Sequence, residues 1–416
     1  MLNNIENDDI IMQDNTSHAF PFFINYIRPR KRTYLDMLYN SNQLLLNNPS
    51  IVKEQNKSIK SNSSNKSSIS LLKTNAQTNL TNPEETPPKK EAVEEYLKIK
   101  YPPFFENFEL SDYINSGSSG YVYKGYYKTN RRPVAIKIIK NKNSKDKSKI
   151  NTRIIQEMNI STKLHHKNVM ETYVYLNLND DFSFCVLEYG KNGDLEFFIH
   201  HLLKRLIISE TTVNYFAKQI LEGLEYLHKK CKIIHMDIKP SNILIDVSLS
   251  AKIADFSVSC SFENFEPETL VKFPFVGTAK FMAPEIISKE NMKIKDGEKI
   301  DIYSFGATLY CLFYGVYPYK LYEVKGKDYN KILEQIQKEE LEFPPERKIS
   351  KLFKDFLQKT LEKDYKKRIG IKEALNHPWI KASKAIFDEK ENLGCLENFL
   401  IKLITDNIAS FNDLIK

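Results

Sequence analysis

At 416 residues the chain is long enough for two or three folding units, and its 41% hydrophobic and 12% aromatic content supplies a substantial core. Basic residues outnumber acidic ones by only 61 to 53, and no basic stripe interleaved with aromatics occurs, which argues against a nucleic-acid binder. The cysteines Cys185, Cys231, Cys260, Cys311 and Cys395 are odd in number and include no C-x-x-C pair, so a disulfide framework or zinc site is disfavoured and a reducing, cytoplasmic setting is expected.

The chain opens "MLNNIENDDIIMQ", without the basic start and apolar core of a signal peptide. Residues 49–95 are rich in Asn, Ser, Lys, Thr and Pro, and such a stretch buries too little apolar surface to offset its ordering entropy. Residues 1–100 are therefore read as a mostly disordered extension, with more aromatics and leucines over 18–48. From Tyr101 short β-rich runs alternate with turn signals: "FELSDYINS", "GYVYKGYYK" and "PVAIKIIK" read as consecutive antiparallel strands. A helical segment over 150–165 follows. Beyond residue 190 the pattern is helical, as in "TTVNYFAKQILEGLEYLHKK". The expectation is an α+β chain of two lobes, a β-rich lobe over 101–190 and a helical lobe over 191–381. Residues 302–319 are nearly uncharged, but Gly306, Gly315 and Pro318 interrupt them, so they read as a buried core helix and not a membrane span.

Six short motifs carry chemistry. In "INSGSSGYVY", Gly117 and Gly120 stand between two strands with Ile114 before and Val122 after, where backbone N–H groups of a hairpin can face phosphates. In "VAIK", strand alternation puts Ala135 and Lys137 on one face. Glu157 lies in the helix after it and can orient that lysine. "HMDIKPSNIL" offers Asp237 to orient a hydroxyl, Lys239 to offset phosphoryl charge and Asn242 as a metal ligand; "KIADFS" adds Asp255. Two oxygen ligands suit Mg²⁺, which takes few protein ligands plus phosphate oxygens. "GTAKFMAPE" ends the series. Each piece alone has a plain structural reading: a glycine turn, a surface lysine, a solvated helix face. The ordered set does not.

In this order and spacing the motifs resemble the eukaryotic protein kinases, over about residues 105–380. The resemblance implies a bilobal fold, ATP and Mg²⁺, and transfer of the γ-phosphoryl group to protein hydroxyls. It implies that Lys137 holds the α- and β-phosphates, Glu157 holds Lys137, Asn242 and Asp255 bind Mg²⁺, Asp237 orients the acceptor and Lys239 stabilises the γ-phosphoryl charge. By the same resemblance Leu187 is the gatekeeper, Glu188 and Gly190 lie on the adenine-reading hinge, and Asp194 sits at the ribose. Val122, Ala135 and Leu244 would sandwich the adenine ring. Asp301 looks like the buried anchor of the catalytic loop, Glu285 should pair with Arg368, and Thr278 follows the serine/threonine pattern of substrate positioning. "KIADFSVS", "VGTAKFMAPE", "ATLYCLFYG" and "LEFP" look most like the calcium/calmodulin-dependent kinase kinases, which act on activation-loop threonines of downstream kinases.

Five positions depart from that pattern. Met236 replaces the arginine that grips an activation-loop phosphate, and Pro274 occupies the usual acceptor position, three residues before Gly277. Receptor and acceptor are missing together, so loop phosphorylation is not expected to be required. Asn115 replaces a loop glycine. Ser257 replaces the Gly of DFG, and Ser161 stands where an apolar helix residue stacks toward Phe256 and His235. These three motivate an alternative, a pseudokinase acting as an allosteric binding module. Residues 382–416 read as a tail containing an amphipathic helix over 396–416, "LENFLIKLITDNIASFNDLIK". Its polar face carries Glu397, Asp406 and Asp413 against Lys402 and Lys416, so tight binding to acidic calmodulin is disfavoured there.

Overall fold

The computed structural model describes residues 90–100, 102–117, 120–140, 156–177, 182–202, 208–246, 248–326 and 328–387. The expectations for residues 1–89, including the disordered extension, and for the tail beyond 387 lie outside the described residues. Lys90–Lys100, read from the sequence as the end of that extension, is an 11-residue helix, α1, followed by a short helix, α2 (Pro102–Asn107). Val93 and Leu97 on α1 are 4% and 1% exposed and close the outer face of the sheet that follows. The β-rich lobe therefore begins eleven residues before the expected boundary.

That sheet has five antiparallel strands, β1 (Phe108–Gly117), β2 (Gly120–Tyr127), β3 (Pro133–Lys140), β4 (Thr172–Asn177) and β5 (Phe182–Glu188), in the order β1-β2-β3-β5-β4. Period-two alternation sorts its faces. Val134, Ile136 and Ile138 point to the outer core with Phe184 and Val186, under α1. Ala135 and Lys137 are left to the opposite face. Irregular pairing around Ile114 marks a bulge in β1. Gly120 has φ +149°, and a Cβ there would meet the Ile138 carbonyl oxygen at 1.9 Å. On the cleft side, residues 156–161 form the described end of a helix, α3, which carries Glu157.

The second lobe is helical. α4 (Leu195–Leu202) and α5 (Glu210–Glu225) lead to two hairpins that hold the polar motifs. Ser209 caps α5 by accepting from the Thr212 N–H at 3.1 Å. β6 (Ile233–Ile234) pairs with β9 (Cys260–Ser261), and β7 (Ile243–Ile245) pairs with β8 (Ala251–Ile253). A third ladder joins β10 (Leu270–Lys272) to β11 (Asn291–Lys293) across the short helix α6 (Pro284–Ile287). α7 (Glu298–Tyr314) is buried on all sides and stops at Gly315 in the left-handed conformation, φ 75°. The uncharged run at 302–319 is thus core, and among the described residues no helix is long and apolar enough to cross a membrane. α8 (Tyr329–Lys338), α9 (Lys351–Thr360), α10 (Ile371–Asn376) and α11 (Pro378–Phe387) complete the lobe. Trp379 on α11 stacks on Phe353 at 4.3 Å and donates to Glu210 at 2.9 Å, which ties the end of the domain to α5. The α+β bilobal expectation is the observed architecture.

One buried ion pair joins the C-terminal half of this lobe. Arg368, 1% exposed, spends all five N–H donors: two on the Glu285 carboxylate at 2.7 and 2.9 Å, the others on the carbonyls of Glu362, Lys299 and Lys363. Either Arg368→Ala or Glu285→Ala leaves its partner charged and buried, at a cost of about 3–5 kcal/mol. A fall in the denaturation midpoint of both variants is the expected result; unchanged midpoints would refute the pairing.

Candidate active site

Between the lobes the cleft is built around Lys137. Its ammonium lies 3.3 Å from Glu157 Oε1 and 3.4 Å from Asp255 Oδ1. Strand alternation aims it there, and residues 118 positions apart meet because the second lobe folds its hairpins beneath the sheet. Burial alone would disfavour the ammonium, but the carboxylates of Asp255 and then Glu157 more than reverse this, and its pKa lies above the ordinary lysine value. For Asp255 burial pushes upward, while Lys137 and hydrogen bonds from Ser257 pull down further, holding the carboxyl at about 2. The three groups form one compact charge set between the lobes.

A second cluster forms below. Asp237 Oδ1 accepts from the Thr278 N–H at 2.7 Å; Asp237 Oδ2 accepts from Asn242 Nδ2 at 3.1 Å and lies 2.8 Å from Lys239 Nζ. Lys239 also donates to Thr278 Oγ1 at 2.7 Å. Residues 277–278 and the stretch 235–242 approach closely because Gly277, at φ +107°, has no Cβ; one there would lie 2.5 Å from the Met236 carbonyl oxygen. Behind the cluster the Asp301 carboxylate, 0% exposed, accepts from the His235 and Met236 N–H groups at 2.8 and 2.9 Å and pairs with His228 Nε2 at 2.7 Å. It thereby holds Met236 at φ 69°.

The donor set fits a hard cation. Asn242 commits its NH₂ group to the Asp237 carbonyl oxygen and carboxylate, which leaves Oδ1 as its outward ligand atom. Asp255 supplies an ionised carboxylate. Asn242 and Asp255 are the residues that would hold Mg²⁺, which prefers such an oxygen pair completed by phosphate oxygens.

Of the remaining residues singled out by sequence, Val122, Ala135, Leu187 and Leu244 sit on β2, β3, β5 and β7, the four strands that bound the cleft. Gly190 lets the hinge lie against Leu244, which a Cβ would approach to 3.1 Å. Ile114 is 45% exposed at the β1 bulge. Gly117 pairs across the hairpin with Gly120. The Asp194 carboxylate caps α4 by accepting from the Phe197 N–H at 2.8 Å, and the Glu188 carboxylate turns to Lys252 at 2.9 Å. Of these two, Glu188 therefore offers the cleft its backbone only.

The profile described as "Protein kinase domain" matches residues 108–380. The chain belongs to the protein kinase family. It is similar to the serine/threonine-protein kinase fhkB of Dictyostelium discoideum (33% identity; 68% of this chain, 24% of that protein). It is also similar to the serine/threonine-protein kinase par-4 of Caenorhabditis elegans (32%; 72% and 47%) and to human death-associated protein kinase 2 (32%; 78% and 82%). The chain thus spans about a quarter of the first of these relatives and about half of the second. What they share with it is a serine/threonine protein kinase domain.

Three features of the structure were not singled out in the sequence. Lys252, 9% exposed in its side chain, joins the hinge residue Glu188 to Asp246 in the β7–β8 turn; its place one residue before Ile253 on a buried strand was the available signal. His228 partners Asp301 from within an apolar helical pattern that gave no sign of it. α1 covers the sheet although its sequence follows directly on a polar, low-complexity stretch.

The departures also acquire a physical account. Met236 is 4% exposed and belongs to the apolar core. The segment it would have anchored is held instead by packing: Phe273 is buried against Phe262 at 5.3 Å, and β10 pairs with β11. Ser161 is buried, and its hydroxyl has no hydrogen-bond partner among the described residues, a cost of about 1–3 kcal/mol on the α3 side of the cleft. The His235–Phe256 contact nevertheless persists at 5.1 Å.

Lys137→Met and Asp255→Asn remove charges that face the cleft. Each is expected to lower phosphotransfer by roughly 10²–10³ with the far-ultraviolet circular dichroism of the folded chain retained. Near wild-type turnover by Asp255→Asn would refute its place in the reaction centre.

Proposed function

We propose that the chain is an active, Mg·ATP-dependent serine/threonine protein kinase that phosphorylates activation-loop threonines of downstream kinases. The observation that carries the catalytic reading is the Asp237–Lys239–Thr278 cluster, assembled beside Lys137 with its two carboxylates. In this reading Lys137, oriented by Glu157, binds the α- and β-phosphates. Asn242 and Asp255 hold Mg²⁺, which neutralises phosphate charge when bound. Asp237 orients the substrate hydroxyl and accepts its proton, Lys239 balances charge on the transferring group, and Thr278 positions both. Phosphoryl transfer asks for positioning and charge neutralisation more than covalent help, and each of these groups supplies one or the other. The strands carrying Val122, Ala135, Leu187 and Leu244 bound the space for adenine, with Gly190 on the hinge and Asp194 toward the ribose.

The narrower part, action on other kinases, is supported by the motifs shared with the calcium/calmodulin-dependent kinase kinases. The pseudokinase alternative draws on Ser161, Asn115 and Ser257, but the intact charge set around Lys137 favours catalysis. The burial of Phe273 and the β10–β11 pairing support activity without phosphorylation of that segment.

Radiolabelled ATP with a panel of kinase activation-loop peptides tests the proposal. Transfer to threonine by the wild type, absent in Asp237→Ala, is the expected result; no transfer to any peptide or generic acceptor would support the pseudokinase alternative. Phosphatase treatment should leave specific activity unchanged, and a collapse would show that a phosphate holds the segment in place.

A further inference from the structure

Outside the cleft, a cavity of about 300 Å³ opens between α6, α8 and residues 363–365. Its floor is apolar, with Leu333, Ile336 (0% exposed) and Tyr365 (8%). Its rim carries Glu290 and Asp364. Glu285 also lines it, but Arg368 occupies both of its carboxylate oxygens. Lys363 is turned aside: its ammonium donates to the Gln337 and Glu339 carbonyls at 3.4 and 2.7 Å and lies 5.1 Å from the Tyr319 ring centre. Glu290 accepts only from the neutral Ser288 hydroxyl at 2.9 Å among the described residues. Asp364 accepts from the Lys366 N–H at 3.0 Å, and Lys367, 3.9 Å away and 76% exposed, is a weak partner for it. The rim is therefore acidic above an apolar floor.

One helix, α8, links the cavity to the segment that precedes Thr278. Tyr329, Leu333 and Gln337 are spaced at i, i+4 and i+8 and share one face of α8. Tyr329 packs edge-on against Phe275 at 4.6 Å, three residues before Thr278. Along the helix axis Leu333 lies about 6 Å and Gln337 about 12 Å beyond that contact.

We propose that this cavity docks an arginine or lysine side chain of the protein substrate, carried outside the segment that bears the acceptor hydroxyl. The methylene stem lies on Leu333, Ile336 and Tyr365 while the cationic head meets Glu290 and Asp364. The inference rests on the kinase reading above and adds to it a class of substrate: a folded or extended protein with a basic side chain that reaches past the active site.

The full-length chain is assayed with two acceptors, lysine-rich histone H1 and a threonine decapeptide without lysine or arginine. Glu290→Lys and Gln337→Lys change exposed positions and leave the catalytic groups untouched. Each is expected to raise KM for histone H1 about ten-fold with kcat retained, and to leave kcat/KM for the decapeptide within about two-fold. Equal losses on both acceptors, or none on either, overturn the proposal. Wild-type transfer to neither acceptor refutes the kinase reading instead. Docking is then read by calorimetry with a hexa-arginine peptide: it stands if Glu290→Lys weakens binding about ten-fold and falls if both proteins bind alike.

Discussion

The buried Asp301 carboxylate is the constraint on which the rest of the site depends. Burial opposes its charge, but the hydrogen bond from His228 and the neighbouring histidines outweigh this and keep its pKa below the ordinary carboxylate value. It is therefore a fixed anion at the N-terminal end of α7, and it takes the two successive backbone N–H groups of His235 and Met236. Met236 sits in the left-handed region, which costs a residue with a side chain roughly 1–2 kcal/mol. Those two hydrogen bonds hold the strained turn. With it fixed, Asp237 is presented to Thr278 and Asn242 at hydrogen-bonding distance.

A second constraint brings Thr278 to that meeting. Arg368 holds Glu285 at the start of α6, seven residues after Thr278, against α7 and the loop before α10. At its other end the segment is pinned by the β6–β9 and β10–β11 ladders and by buried Phe273. In a kinase with an arginine at 236 a phosphate would join the catalytic loop to this segment electrostatically. Here Met236 packs into the core, and the segment's own anchors are the buried Phe273 and its two backbone ladders.

The sheet side of the cleft is balanced differently. α3 is drawn toward Lys137 by the Glu157 ion pair, while Ser161 one turn along buries a hydroxyl with no partner among the described residues. The same helix thus carries the strongest polar contact to the sheet and an uncompensated desolvation cost. Substitution of Ser161 by an apolar residue of similar size removes that cost without touching the ion pair.

The sequence by itself determined the class of fold and pointed to the polar residues that meet in the cleft. Strand alternation turned Ala135 and Lys137 one way and Ile136 the other, and the resemblance of the ordered motifs to those of the protein kinases implied that the polar residues converge on one site. The pairing of Glu285 with Arg368 was legible only through that resemblance. Tertiary structure alone decided where long-range partners lie. No local pattern marks His228 as the partner of Asp301 or Lys252 as the partner of Glu188, because each is defined by a residue more than sixty positions distant on a different element. The helical order of Lys90–Lys100 likewise depends on burial: two apolar residues, Val93 and Leu97, gain a sheet face to cover, and that face does not exist until five strands from 108 to 188 have assembled. The acidic cavity beside α8 is the last such case, since its walls come from three segments that only the folded lobe brings together.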